Sequence, residues 1–206
     1  MDIEIKKSIK PVNYKKAINI LENRVNDLSL KSGKELIWFL NHRSIFTAGT
    51  SYSDKEIIDR SIKLIKTNRG GKITWHGPGQ IICYMVIDLK KRKKDIRKFI
   101  TALEKSIINT LREFGIKSFN DRKNIGIWVN QNNEIKKIAA LGIRVKKWIA
   151  FHGFSLNFSN SLSEYQKIIP CGINDRGIIS IRQIKKISKV EILKKLEQNL
   201  IDNLNY

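Results

Sequence analysis

Proline, cysteine and histidine are scarce in this chain of 206 residues, which carries three, two and three of them. With so few prolines and no repeat or low-complexity tract, nothing marks a linker, and the length is too short for two domains of ordinary size. One domain over residues 1–206 is expected. Two cysteines, Cys83 and Cys171, do not make a disulfide framework, so each has to be explained as core or as chemistry. The histidines, His42, His76 and His152, stand at separations that match no usual zinc spacing, and neither His-Glu-x-x-His nor paired Cys-x-x-Cys occurs. No metal site is expected. No apolar run is long enough to span a bilayer, and the alternating, charged start Met1-Asp2-Ile3-Glu4-Ile5-Lys6-Lys7 lacks the apolar stretch of a secretory signal. A soluble, cytoplasmic protein without a membrane partner is the expectation.

Acidic residues are also few: 19 Asp+Glu stand against 40 Lys+Arg, a formal net charge of +21. A surplus that large attracts nucleic acid, an anionic surface or an acidic protein. Abundant Lys, Ile and Asn are also what an A+T-rich genome produces through codon bias, so composition leaves open whether the charge is a functional patch or drift. Nucleic-acid binding is not expected, because the cations are scattered and no recognition motif occurs. Core material is plentiful, at 41% hydrophobic residues with four Trp, eight Phe and five Tyr, which argues against disorder.

After Pro11, an apolar stripe at helical spacing (Tyr14, Ala17, Ile18, Leu21, Val25) predicts a first helix. Short apolar stretches at Leu36 to Leu40 and Ile62 to Ile65 have strand character, and Ile81 to Ile87 reads as a buried strand. Asp95 is placed to cap a long amphipathic helix carrying Ile96, Phe99, Ile100, Leu103, Ile107, Leu111 and Phe114, ended by Gly115. Ile125 to Val129, Ile135 to Val145 and Trp148 to Phe158 then read as consecutive strands, with turn residues at Asn130 to Asn133. Ser188-Lys189-Val190-Glu191 is a capping-box pattern opening a last helix through Ile192, Leu193, Leu196 and Leu200. Helices flanking runs of adjacent strands favour an α+β fold with a mainly antiparallel mixed sheet over a doubly wound parallel one.

Arg69-Gly70-Gly71-Lys72-Ile73-Thr74-Trp75-His76-Gly77-Pro78-Gly79-Gln80 gathers four glycines around one histidine, a candidate binding loop in which backbone amides approach a ligand closely. It matches neither a phosphate loop nor a dinucleotide fingerprint, and a pair of tight turns around a hairpin is the plain alternative. Cys83 lies inside an apolar strand and belongs to the core. Cys171 stands in Ile169-Pro170-Cys171-Gly172-Ile173, where proline restricts the backbone and Gly172 exposes the following amide, suiting a nucleophile with an oxyanion donor beside it. A thiol attacks as thiolate, which a nearby ammonium favours. Lys136 and Lys137 point to opposite faces of a probable strand, and Lys137 shares its face with Ala139 and Leu141, so it is the candidate ammonium. His76 and His152 remain possible bases.

The whole chain resembles the octanoyltransferases of lipoate biosynthesis, through segments in the expected order. They are Arg69 to Gln80; Lys137-Ile138-Ala139-Ala140-Leu141-Gly142 running on to Ile143-Arg144-Val145; Phe151-His152-Gly153-Phe154-Ser155-Leu156-Asn157; and Pro170-Cys171-Gly172-Ile173. His42 to Gly49 is a weaker fifth. The resemblance implies a fold like that of the biotin and lipoate protein ligases. It implies Cys171 as the acyl-accepting nucleophile and Lys137 as the cation that activates it. It implies an acyl-substrate pocket lined by Arg69, Gly70, Gly71, Lys72, Ile73, Thr74, Trp75 and His76, by Ala140, Leu141 and Gly142, and by Gly153, Phe154 and Ser155. The implied donor is octanoyl-acyl carrier protein, which is acidic. The implied acceptors are lipoyl domains of 2-oxoacid dehydrogenases and the glycine-cleavage H protein, and no cofactor is implied. The rivals are an ATP-dependent lipoate or biotin ligase of related fold, which does not require a Pro-Cys-Gly nucleophile, and, remotely, a basic nucleic-acid-binding protein.

Overall fold

In a computed structural model, which describes residues 2–206, the chain runs β1 (Ile3–Lys7), α1 (Tyr14–Ser29), β2 (Glu35–Leu40), β3 (Ile45–Ala48), β4 (Leu64–Lys66), β5 (Ile73–His76), β6 (Gln80–Asp88) and α2 (Ile96–Glu113). It continues through β7 (Phe119–Asn120), β8 (Ile127–Gln131), β9 (Glu134–Lys146), β10 (Ile149–Asn157), β11 (Gly177–Ile178), α3 (Ile181–Ile184) and α4 (Lys189–Leu204). The main sheet has the order β1-β2-β6-β10-β9-β8-β7, with β11 added beside β9, and a second sheet has the order β4-β3-β5. Pairing is antiparallel except for β1–β2, β9–β11 and β3–β4, so the sheet is mixed and mainly antiparallel, as expected.

Alternation along the strands sorts apolar side chains onto two faces. Ile82, Tyr84 and Val86 of β6 pack with the α1 stripe of Ala17, Leu21 and Val25, while Ile81, Cys83, Met85 and Ile87 pack with α2 and α4 on the other face. Asn13 caps α1 by accepting from the Lys16 N–H at 3.1 Å, and Asp95 caps α2 by accepting from the Lys98 N–H at 2.9 Å. Asn132–Asn133 and Lys147–Trp148 both carry positive φ, the mark of tight hairpin turns that match strand twist, and they join β8 to β9 and β9 to β10. Trp148 therefore turns the corner instead of opening β10.

Three details depart from the sequence reading. The charged start Ile3–Lys7 is a strand, because Ile3 and Ile5 turn toward the core and the backbone pairs in parallel with β2. Ile62 and Ile125 lie outside the strands placed over them, and Ile125 is exposed. Ser188 makes no side-chain cap bond, since it and Glu191 are both exposed and water competes; the reciprocal pairing forms at α3, where Gln183 Oε1 accepts from the Ser180 N–H at 3.0 Å. The last helix is instead anchored at its far end. Buried Arg92 pairs with Glu35 through two contacts of 2.6 and 2.9 Å and donates to the Leu204 carbonyl at 3.0 Å.

Candidate active site

A cavity of about 570 Å³ opens where β5 and the loop before it lie over the middle of β6, β9 and β10. Two glycines stand in its wall. Gly142 and Gly153 face each other across the β9–β10 ladder, and a Cβ at Gly153 would overlap the Cys83 carbonyl oxygen. A Cβ at Gly70 would come 2.6 Å from the Ile143 carbonyl oxygen, so only glycine lets the Arg69-Gly70-Gly71 turn rest against β9. Arg69 is less a ligand than a brace: its guanidinium, 8% exposed, donates to the Thr47 carbonyl at 2.7 Å, to Thr47 Oγ1 at 3.0 Å and to the Gly70 carbonyl at 3.0 Å.

Of the expected pocket residues, Arg69, Gly70, Gly71, Lys72, Thr74 and His76 border the cavity, as do the Ala140–Gly142 and Gly153–Ser155 segments with Lys137 and Cys171. Ile73 and Trp75 do not. A third of the glycine-rich loop is strand β5, and its alternation sends these two side chains into the small core with Phe46 and Tyr165. Sequence reasoning missed Ile82, Tyr84 and Ile100 as wall residues and the segment Lys123–Ile125 at the rim. The period-2 pattern of β6 placed Ile82 and Tyr84 on one face, but nothing local said which face the cavity would occupy.

Cys171 is half-buried and adopts φ 58°, ψ 15°, a left-handed conformation that costs a non-glycine residue about 1–3 kcal/mol and persists only where the surroundings impose it. The imposing contacts lie on both sides. Upstream, the Ile169 N–H donates to the Glu56 carbonyl at 2.7 Å, the Ile58 N–H donates to the Lys167 carbonyl at 3.0 Å, and Ile57 bridges Ile168. Downstream, β11 pairs with Lys136 and Lys137 of β9. The Gly172 N–H, expected to be open, is taken by the Ile169 carbonyl at 3.0 Å, and that of Ile173 by the Pro170 carbonyl at 3.1 Å. The Cys171 N–H has no partner among the described residues.

Lys137 is 3% exposed. Its ammonium donates to the Ile125 carbonyl at 3.1 Å and lies 4.7 Å from the Trp128 ring centre, so it has polar company beyond the small apolar neighbours expected for it. Lys136 points away and pairs with Glu134. Lys137 and Cys171 border the same cavity and also the narrow cleft beside it, with Ser155, Asn157 and Tyr165. No Asp or Glu lines either space.

Both candidate histidine bases are buried, and His152 Nδ1 has no hydrogen-bond partner among the described residues. Burial pushes His76 down to about 3, helped by the nearby His42 and Arg69, and its Nδ1 lies 3.1 Å from Gln80 Oε1. Burial likewise lowers His152 to about 3, and its Nε2 lies 2.8 Å from Asn68 Oδ1. Because Asn68 Nδ2 donates to Glu22 at 2.7 Å, its Oδ1 is the end that accepts from His152. Imidazoles this reluctant to take a proton make poor general bases at neutral pH. Burial also raises the Cys83 thiol well above its ordinary value, leaving it inert in the core.

The chain matches the model of the lipoyl protein ligase A/B catalytic domain over residues 13–201. It is 44% identical over 174 residues to an octanoyltransferase of Wolbachia sp. subsp. Brugia malayi (strain TRS), covering 84% of this chain and 85% of that one. It is 43% identical over 188 residues to an octanoyltransferase of Anaplasma phagocytophilum (strain HZ), covering 90% of each. Among solved structures it resembles lipoate-protein ligase A bound with ATP, with a TM-score of 0.74 at 17% identity over 99% of this chain and 86% of that one. It also resembles the bipartite lipoate protein ligase of Thermoplasma acidophilum, solved in a study with its E2 lipoyl domain, with a TM-score of 0.70 at 15% identity over 99% and 84%. At such identities these two likenesses speak for the fold alone.

Proposed function

The chain belongs to the lipoyl protein ligase A/B catalytic domain family, among its octanoyltransferases, and we propose that it moves an octanoyl group from acyl carrier protein to a lysine of a lipoyl domain through a thioester on Cys171. The observation that carries the cysteine step is a half-buried thiol held in a left-handed turn beside a buried lysine, both bordering one cavity that no carboxylate among the described residues lines. The Cys171 thiolate attacks the carrier thioester carbonyl, and the carbon–sulfur bond to the carrier breaks. The Lys137 ammonium gives its proton to the departing thiolate. In the second half-reaction the acceptor amine attacks the Cys171 thioester, the amine's proton passes to the neutral Lys137, and the Cys171 thiolate is restored. Exchange between thioesters is nearly thermoneutral and amide formation runs downhill, so the donor carries all the activation required.

The unpartnered Cys171 N–H supports a role as oxyanion donor, with the Gly70 and Gly71 amides as its partners in that role. Lipoyl domains as acceptors, a cytoplasmic location and action as a single catalytic domain complete the proposal; no helix among the described residues is long and apolar enough to cross a membrane. Intact-mass spectrometry after incubation with octanoyl-acyl carrier protein tests it. The expected result is a gain of one octanoyl group, released by hydroxylamine and lost in Cys171→Ala while Cys83→Ser retains it. An adduct that survives in folded Cys171→Ala would sink the cysteine assignment.

A further inference from the structure

We propose that Trp128 is a positioning residue for the Cys171 and Lys137 pair, its indole holding the Lys137 ammonium and the segment that follows Cys171 in one arrangement. The inference deepens the cysteine reading and rests on it. Trp128 stands opposite Lys137 in the β8–β9 register, so the two side chains emerge on the same face of the sheet. The ring is 1% exposed. Lys137 Nζ lies 4.7 Å from its centre and the Arg176 guanidinium carbon 4.9 Å.

The ring's own orientation is fixed, because its Nε1–H donates to the Asn124 carbonyl at 2.9 Å. The adjacent Ile125 carbonyl accepts from Lys137 at 3.1 Å, so one short segment sets both the ring plane and the ammonium. Arg176 belongs to the stretch between the Cys171 turn and β11, and Asp121 neutralises it across 2.8 Å. Among the described residues Lys137 makes no ion pair, and no carboxylate lines the cavity. Its charge is therefore held by a carbonyl and by the face of the indole, an attraction that strengthens where water is excluded. A lysine stem has many rotamers, and these two contacts leave the remaining N–H directions to the space it shares with Cys171.

The test compares Trp128→Phe and Trp128→Met, which weaken and then remove the cation-attracting face while keeping apolar bulk. Two readouts are taken on the full chain: single-turnover acylation by octanoyl-acyl carrier protein, and the pH dependence of Cys171 alkylation by iodoacetamide. Acylation is expected to fall about threefold with phenylalanine and at least about tenfold with methionine, and alkylation to require more alkaline solution in the same order. A purely structural role would lower the melting temperature and leave the pH profile in place. That result, or wild-type rates and profiles in both variants, overturns the proposal. If the methionine variant does not fold, the phenylalanine step alone decides, an unchanged profile and rate counting against it. Cys171→Ala run in parallel separates the two readings: an adduct there defeats the cysteine mechanism, whereas a flat Trp128 series beside an inert Cys171→Ala defeats only this inference.

Discussion

In the proposed mechanism Lys137 combines two functions that substitutions at that single residue can separate. Lys137→Met keeps most of the stem but deletes the charge, and with it both the thiolate's counter-ion and the proton donor. Acylation at neutral pH is expected to fall by at least about a hundredfold, the lower end of what positioned acid catalysis contributes. Lys137→Arg keeps a cation that hardly gives up a proton, so iodoacetamide alkylation of Cys171 should survive better than turnover. Equal losses of alkylation and turnover in the arginine variant would deny Lys137 a separate acid role. The same measurements on Cys83→Ser should match wild type, since burial raises the Cys83 thiol and keeps it from competing.

Among the elements, the turn bearing Cys171 is tied to β5 by a lopsided ion pair. Glu56 is buried; its Oε2 accepts from the Ile73 N–H at 3.3 Å, and its Oε1 stands 2.9 Å from Lys72 Nζ, whose side chain is 43% exposed. A Cβ at Gly172 would collide with that ammonium, so Lys72 also packs against the nucleophile turn. Removing Lys72 leaves a carboxylate stranded in the interior, whereas removing the charge of Glu56 frees a lysine that water can reach. Lys72→Met is therefore expected to cost about 2 kcal/mol or more and Glu56→Gln about 1 kcal/mol, with the double variant recovering part of the difference. Urea denaturation of the four proteins measures this; additive losses would mean the pair is not coupled.

Helices α1 and α2 were legible because their stripes bury one face and their caps are local in sequence. The β8–β9 hairpin was legible through its turn residues Asn130 to Asn133, whereas Trp148, in the turn between β9 and β10, read as the start of a strand. Strand β1 was not, because parallel pairing with β2 depends on a partner that no local pattern names. For the site, Cys171, Lys137 and the glycines stood out by residue type, whereas Glu56 and Trp128 carry no chemical signature. Their roles come from register and from contacts across long stretches of chain. Ile73 and Trp75 lie off the cavity for the opposite reason: a glycine-rich stretch reads as loop, although strand alternation inside it faces every second residue away from the cavity.

Across the molecule, buried neutral histidines set the response to acid. A histidine whose folded value lies below its unfolded 6.5 supplies stability above 6.5, and that stability is lost as pH falls toward the folded value. His76 and His152, both lowered to about 3, thus each remove up to roughly 1.4 kcal/mol per pH unit below 6.5, and His42, lowered by burial too, adds to this. Urea midpoints should drop steadily between pH 6.5 and 5, above the range where carboxylates protonate. A flat midpoint over that interval would mean these rings accept protons without unfolding. The charge of +21 acts outward. Association with the proposed acidic carrier should slow steeply between low salt and about 0.5 M, where screening reaches a few ångströms; an unchanged rate would mark the charge as compositional.

The tethers of the Cys171 turn reach back to Glu56 and Ile58, more than a hundred residues upstream, and to β9, about forty residues upstream, so the turn closes contacts between distant segments. Such closures come late when a chain folds, because their loop entropy is offset only after neighbouring contacts exist. During synthesis the cavity walls and Lys137 emerge before the thiol does. The left-handed turn depends on both anchors, so on the proposed mechanism the power to take up an acyl group appears only with the completed molecule. In refolding experiments, rapid alkylation of Cys171 should accordingly be the last property to return.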